Sequence, residues 1–207
     1  MAKTIHHDEA GKSFFGEEDH LEVAQKRSFV SLIFELLSEK APNESELQIF
    51  ELILNLSIDH GPDTPSAVKV IEEAKKGEKI SEAVSEGIEE INDSHGGAQE
   101  KLMEILFSVK SQESRVKELV SEKMEKGERI PGFGHRIYKD VDPRAQLILS
   151  QLRENGLGEE WIKIAQDIED ELQAQKGTKL PLNIDGAIAI ALCSFGWPAK
   201  LGKAAFI

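Results

Sequence analysis

The sequence has very little cysteine, no long apolar run and fewer basic than acidic residues. Its single cysteine, Cys193, excludes an internal disulfide and any metal site built from several cysteines. Because a free cysteine is most often buried as a small apolar side chain, we expect Cys193 to lie in a helix core rather than to act as a nucleophile. This cysteine usage fits a reducing compartment and predicts a cytoplasmic protein.

Two further absences narrow the possible partners. No stretch of ~18 consecutive apolar residues occurs, and the N-terminus lacks the apolar core of a signal peptide, so we expect no membrane span and no export. The chain carries 38 acidic and 25 basic residues among 207, a formal net charge of −13, which repels nucleic acid and anionic membranes. An acidic protein that binds an anionic substrate must concentrate its few basic side chains at the binding site.

Apolar residues recur at helical spacing from Ser28 onward, with Gly and Pro at the breaks. The first helix is predicted to begin at Ser28 and to end before Pro42. Asn43 and Glu46 then have the spacing of a capping box for a second helix. A third runs between the Thr64-Pro65 start and the C-terminal Gly77. Further helices are predicted at about 81–93, 98–108, 112–126, 143–155, 159–175 and 186–195.

Residues 1–27 show no sustained period and predict a flexible arm or an irregular edge piece. The adjacent His6 and His7 lack a third ligand at a recognisable spacing, so no metal site is predicted. We find no convincing strand alternation anywhere in the chain. The predicted class is therefore all-α.

Four polar segments fall at element boundaries beside glycine, where a scaffold can aim side chains into a cleft. They are residues 59–62 (Asp-His-Gly-Pro), 94–97 (Ser-His-Gly-Gly), the turn at 134–135 and 183–186 (Asn-Ile-Asp-Gly). Taken singly, each has a structural explanation. A histidine at a helix end can be a cap, Asp185 can be an N-cap as well as a base, and Arg144 can simply solvate a helix face.

Together, three boundary histidines, one aspartate and one arginine suit proton transfer at a carbon atom beside a thioester. Such chemistry needs a carboxylate base on one side and a neutral hydrogen-bond donor to the developing enolate oxygen on the other. A second histidine can exchange a proton with an alcohol or carbonyl oxygen. A third histidine and an arginine can hold the carboxylates of a dicarboxylic or tricarboxylic acid.

Short motifs follow one another along the chain in the order Ile-Asp-His-Gly, His-Gly-Gly-Ala, Pro-Gly-Phe-Gly-His-Arg-Ile-Tyr-Lys with Asp-Pro-Arg-Ala, and Asn-Ile-Asp-Gly. In these motifs the chain resembles the citrate synthase superfamily, over about 28–207. The Asp-His-Gly-Pro segment and the short N-terminal portion are more similar to citryl-CoA lyases, including the corresponding module of ATP-citrate lyase. The resemblance implies a helical fold with a large and a small lobe, the large lobe being reduced and C-terminally incomplete. The implied divisions are an arm at 1–27, the reduced large lobe at 28–95, the small lobe at 96–195 and a truncated return to the large lobe at 196–207.

The resemblance also implies a role for each boundary residue. His95 would polarise the thioester carbonyl, and Asp185 would work on the acetyl methyl carbon. His135 would exchange the proton of the citryl hydroxyl group. His60 and Arg144 would bind the carboxylates of the oxaloacetate half.

No bound cofactor is expected, since coenzyme A (CoA) enters as the thioester substrate. By the same resemblance, the turn at 131–134 would lie against the CoA adenine, and three nearby residues would contact the CoA phosphates and pantetheine. The turn residues are Pro131, Gly132, Phe133 and Gly134, and the three nearby residues are Lys176, Lys179 and Asn183.

The implied activity is cleavage of citryl-CoA to acetyl-CoA and oxaloacetate. Citrate or 2-methylcitrate synthesis, and a non-catalytic acyl-CoA-binding or regulatory subunit, remain as alternatives. Family members normally continue past the last helix into a segment that carries a further substrate-binding arginine. We therefore expect either a fragment or a site that a partner subunit completes, and the resemblance implies a homodimer.

Overall fold

The computed structural model describes residues 4–59, 61–92, 96–111 and 115–207. It divides into two compact units, 1–52 and 53–207. The described ranges contain ten α-helices and three short strands. The predicted all-α class is confirmed, whereas the lobe boundaries at 95 and 195 stay a prediction.

The first unit begins with a small antiparallel sheet that the sequence did not predict. Strands β1 (Ile5–His7), β2 (Ser13–Phe15) and β3 (Glu18–Asp19) pair in that order, and helix α1 (His20–Lys26) follows. The expectation of an irregular segment at 1–27 is therefore wrong for residues 5–26. Strands of two or three residues are too short to show an alternation, and β1 is exposed at every position.

Helices α2 (Phe29–Ser38) and α3 (Glu44–Ser57) continue the chain. The predicted capping box at the start of α3 is confirmed. The Asn43 N–H donates to Glu46 Oε2 at 2.8 Å, and the Glu46 N–H donates to Asn43 Oδ1 at 2.9 Å. These two bonds satisfy backbone donors that the first turn of a helix cannot pair internally.

The second unit holds the remaining helices. Helix α4 starts at Pro65 and ends before Gly77, whose φ of +89° is the left-handed C-terminal conformation that the sequence predicted. Helices α4 and α5 pack against each other. The elements of this unit are α4 (Pro65–Lys76), α5 (Ile80–Glu89), α6 (Ala98–Lys110), α7 (Val116–Glu125), α8 (Pro143–Glu154), α9 (Glu159–Lys176), α10 (Ile184–Ser194) and a 3-10 turn (Ala199–Leu201).

Helix α10 forms the centre of this unit. Residues 186–193 are all buried, and α10 packs against α6, α8 and α9. A helix that is apolar on every side belongs in a core. Cys193 lies here with 3% of its surface exposed, and burial raises the pKa of its thiol to about 12, so the core position predicted for this cysteine is confirmed. Within the described ranges, every helix is too short or too polar to cross a membrane.

Candidate active site

The glycine-rich turn at 131–134 is tied to the segment that leads into α10. Gly132 and Gly134 have φ of +83° and +81°, a left-handed conformation that favours glycine. The Gly134 N–H donates to the Pro181 carbonyl at 2.8 Å, and the Asn183 N–H donates to the Gly132 carbonyl at 2.9 Å. These bonds fix the turn beside the first turn of α10.

Asn183 caps α10 and joins it to the same turn. Its Oδ1 accepts from the Gly186 N–H at 3.1 Å, and its Nδ2 donates to the Gly134 carbonyl at 2.9 Å. The sequence left open whether Asp185 is an N-cap or a base. Since Asn183 is the cap, the capping explanation for Asp185 is wrong.

Gly186 lies where α10 and the turn approach most closely, and we expect Gly186→Ala to destabilise the protein. A Cβ at this position would lie 2.6 Å from the Gly132 carbonyl oxygen and 2.4 Å from Leu182 Cδ1. Forcing the turn away from the helix should lower the free energy of unfolding by ~1–3 kcal/mol. Urea titration measures this change, and a variant as stable as wild type would contradict the close packing.

Asp142 holds the starts of two helices together. Its carboxylate is fully buried and caps α8 by accepting from the Arg144 N–H at 3.0 Å. The Arg144 guanidinium donates from Nε to Oδ1 at 3.0 Å and from Nη2 to Oδ2 at 2.8 Å. Oδ2 also accepts from the N–H of Ile184, the first residue of α10, at 3.1 Å. Asp142 thereby fixes Arg144 and the backbone beside Asp185 with one carboxylate.

Burial and hydrogen bonding act in opposite directions on the Asp142 carboxyl. Burial alone would raise its pKa, but the bonds and the charge of Arg144 outweigh burial, and the pKa lies below its ordinary value. The same pairing raises the pKa of Arg144, against the effect of burial. Both groups are therefore charged at neutral pH.

Arg144 does not merely solvate a helix face. Its side chain is 32% exposed, its guanidinium lies 5.5 Å from the centre of the Tyr138 ring, and its Nη2 lies 3.1 Å from His135 Nε2. The His135 ring stacks on the same tyrosine at 4.8 Å. Tyr138 thus supports both the cation and the imidazole.

Hydrogen-bond donors face both ring nitrogens of His135. The Ile137 and Tyr138 backbone nitrogens each lie 3.1 Å from its Nδ1, and Arg144 Nη2 faces its Nε2, so the tautomer decides which ring nitrogen accepts. Burial lowers the pKa of His135, and the charge of Arg144 lowers it further, so the ring is neutral at pH 7. A neutral imidazole carries one proton, and the nitrogen that carries it cannot accept a hydrogen bond. The donor that faces this nitrogen is therefore left without an acceptor. An acceptor oxygen that approaches His135 and Arg144 together would relieve this conflict.

One small pocket, with a volume of about 100 Å³, brings His135, Arg144 and Asp185 together. Its wall also includes Asp59 and Phe206. Asp185 accepts a hydrogen bond from Gln99 Nε2 at 2.8 Å. Two further predicted site residues, His60 and His95, lie outside the described residues.

A second pocket, of about 400 Å³, lies on the turn and is rich in cations. It is lined by Phe133, Gly134 and Lys176, three of the residues whose CoA contacts stay a prediction, and His135 lines both pockets. Its charged side chains are Lys123, Arg129, Arg136 and Lys176, with Glu128 as the acid. In a chain of net charge −13, this is a local concentration of positive charge.

Two other residues predicted to contact CoA have partners within the chain. Lys179 lies 3.8 Å from Glu169 Oε1. The Asn183 amide makes the two bonds to Gly186 and Gly134 described above. Their contacts with CoA stay a prediction.

The whole chain, residues 1–207, matches the family model described as the citrate synthase C-terminal domain. The chain belongs to this family. Its structure is similar to that of citryl-CoA lyase from Hydrogenobacter thermophilus, with a TM-score of 0.89 and 34% identity over 100% of this chain and 80% of that one. The resemblance inferred from the motifs is confirmed.

An ATP citrate lyase and a citrate synthase are also similar to this chain. ATP citrate lyase from Methanothrix soehngenii, solved with citrate and coenzyme A, shares the fold with a TM-score of 0.85 and 24% identity over 100% of this chain and 36% of that one. Citrate synthase from Haloferax volcanii is 28% identical over 190 residues, 89% of this chain and 49% of the relative. The chain thus spans about half the length of this curated citrate synthase.

Sequence reasoning missed three residues that the structure places at or beside the candidate site. Neither Asp142 nor Gln99 is given a role by the sequence. Asp59 lines the small pocket, although only the adjacent histidine was predicted to act there. A signal for Asp142 was present, since an aspartate before proline is a favourable N-cap, but capping alone does not indicate a contact with a second helix.

Proposed function

We propose that the protein is a CoA-dependent carbon–carbon lyase that cleaves citryl-CoA to acetyl-CoA and oxaloacetate. The observation that carries this proposal is the pocket in which Asp185, His135 and Arg144 meet. It supplies an acid, a base and an anion-binding cation around one small volume. The similarity to citryl-CoA lyase over the whole chain favours cleavage as the direction.

In this reaction His135, in the tautomer whose Nε2 is unprotonated, takes the hydroxyl proton of citryl-CoA. The carbon–carbon bond then breaks, and its electron pair moves to the acetyl carbon to form the enolate of acetyl-CoA. The carbon that bore the hydroxyl becomes the keto carbon of oxaloacetate. Asp185, protonated at the start, gives its proton to the enolate carbon.

The electrostatics of the pocket suit these transfers. Because the pKa of His135 is lowered, the ring is neutral and able to accept a proton at pH 7. The nearby charge of Arg144 then favours release of that proton to solvent. Arg144, with His60, would bind the carboxylates of the oxaloacetate half, and His95 would hold the enolate oxygen.

The cation-rich pocket is the proposed site for CoA. The CoA phosphates are strong acceptors for Lys and Arg, and the half-buried Phe133 offers an aromatic face to the adenine. Since His135 lines both pockets, a CoA chain bound on the turn would deliver its thioester toward Asp185. The homodimer, the cytoplasmic location and completion of the site by a partner subunit stay predictions.

The second candidate is a citrate or 2-methylcitrate synthase, which condenses the same two halves and then hydrolyses the thioester. The similarity to the Haloferax volcanii citrate synthase favours it. The third candidate, a non-catalytic acyl-CoA-binding or regulatory subunit, would use the cation-rich pocket without the chemistry.

Two incubations of the purified protein separate these candidates. A lyase is expected to form acetyl-CoA from citryl-CoA and to release no free CoA from oxaloacetate plus acetyl-CoA, as measured by chromatography. Release of free CoA from the second mixture would instead establish a synthase. If neither mixture reacts while calorimetry detects CoA binding, the protein is a binding subunit and the lyase proposal is wrong.

A further inference from the structure

We propose that Gln99 is a positioning residue for proton transfer by Asp185. Its Nε2 donates to Asp185 Oδ1 at 2.8 Å, although the two residues are 86 positions apart in the chain. Both lie in the first turn of a helix, Gln99 in α6 and Asp185 in α10. This inference rests on the proposed function, because it gives Asp185 the acid/base role.

The orientation of the Gln99 amide is set by the carboxylate. Gln99 is fully buried, and an amide oxygen turned toward a carboxylate would repel it, so the N–H group must face Asp185. In this orientation Gln99 Oε1 is buried without a donor among the described residues. A buried acceptor without a donor is unfavourable for folding. A gain in stability therefore does not explain why an amide is buried at this position. The contact with Asp185 is the better explanation.

The contact has two consequences for chemistry. It points one carboxylate oxygen of Asp185 at α6, which fixes the rotation of the carboxyl group and thus the direction of the other oxygen. It also stabilises the ionised carboxylate more than the protonated acid, because a hydrogen bond to a charged group is the stronger one. Gln99 lies four residues after His95 in the sequence, so the helix that follows His95 reaches the acid/base residue of α10.

The test is Gln99→Leu, read first by a titration that needs no turnover. The Asp185 carboxyl is followed by NMR in protein labelled with ¹³C-aspartate, its signal identified by its loss in Asp185→Asn. We expect the midpoint of this titration to lie ~1–2 pH units higher in Gln99→Leu than in wild type. The melting temperature should not fall, because the variant also removes the buried Oε1.

The second readout is exchange of the acetyl-CoA methyl protons with deuterated solvent in the presence of oxaloacetate. Exchange needs the ionised form of Asp185. At pH values below the midpoint of its Asp185 titration, Gln99→Leu should therefore exchange the methyl protons ~10- to 100-fold more slowly than wild type, and at high pH the two rates should approach each other. Gln175→Leu is the matched control, since Gln175 donates to Glu171 at 2.7 Å and to Ser121 at 2.8 Å, outside the pocket. It should change neither midpoint nor exchange rate.

Several outcomes would overturn the inference. An unchanged midpoint with unchanged exchange would show that the contact does not matter. A lower melting temperature with slower exchange at every pH would make Gln99 a packing residue only. If Gln99→Leu fails to fold, the unbranched Gln99→Met takes its place with the same expectations. Absence of exchange in wild type, with the titration shift present, would remove the proposed function, and the inference with it.

Discussion

Asp185→Asn is expected to lower turnover of citryl-CoA by ~10²–10⁴-fold, the usual contribution of a general acid or base. Asparagine has the shape of aspartate, and its oxygen can still accept from Gln99 Nε2, so the pocket should keep its geometry. The amide cannot deliver a proton to the enolate carbon. Acetyl-CoA formation, followed by chromatography under single-turnover conditions, measures the loss.

The same variant should bind CoA as wild type does. Asp185 lines the small pocket, whereas the cation-rich pocket on the turn is built from other residues, with His135 common to both. Asp167→Asn is the matched control, because its carboxylate pairs with Lys163 on the exposed face of α9. Unchanged turnover in Asp185→Asn would remove Asp185 from the mechanism, and a parallel loss of CoA affinity would indicate a distorted site.

Asp142→Asn is expected to have the largest effect on stability, a loss of ~3 kcal/mol in the free energy of unfolding. The substitution removes the charge that pairs with Arg144, and it turns an N–H group toward donors from Arg144 or Ile184. For a chain of this size, the loss corresponds to a fall in melting temperature of ~6–12 °C. Thermal unfolding measures it.

This effect should depend on pH in a defined direction. The folded protein holds the pKa of Asp142 below its ordinary value of ~3.9, so the ionised carboxylate stabilises the fold above that pH. The stability is lost as pH falls through the lowered pKa. The difference between wild type and Asp142→Asn should therefore be constant near neutral pH and should shrink in acid.

A half-buried aspartate at another helix start provides the control for Asp142. Asp19 caps α1 by accepting from the Leu21 and Glu22 N–H groups, at 2.9 and 3.1 Å, and its side chain is 26% exposed. Since asparagine caps a helix about as well as aspartate, Asp19→Asn should change stability by less than ~0.5 kcal/mol. Equal effects of the two substitutions would show that Asp142 acts only as a cap.

The helical scaffold could be predicted because its signals are local. Pro65 and Gly77 bound α4, and Asn43 with Glu46 starts α3, as expected from residues within one turn of each other. The strands at 5–19 have no such signal, because two or three residues cannot display a period and β1 is exposed at every position. Tertiary pairing, rather than sequence pattern, forms this sheet.

The candidate site likewise contains some residues that the sequence predicts and others that it does not. His135, Arg144 and Asp185 could be found because glycines and a proline mark the boundaries where they lie. Gln99 and Asp142 could not be assigned a role, since an amide in a helix and an aspartate before proline are common in helical proteins. Their contacts, with Asp185 and with Ile184, depend on how α6 and α8 pack against α10.

The burial of Cys193 also determines how the chemistry of this protein can be followed. A thiol whose pKa is raised to about 12 is almost entirely protonated at neutral pH, and in the core of α10 it is inaccessible to disulfide reagents. Coenzyme A released during a reaction would then be the fast-reacting sulfhydryl in the mixture. A colorimetric sulfhydryl assay should therefore detect the free coenzyme A of a synthase reaction and stay silent for a lyase, whose product is the thioester acetyl-CoA, even with protein and thioester at equal concentrations.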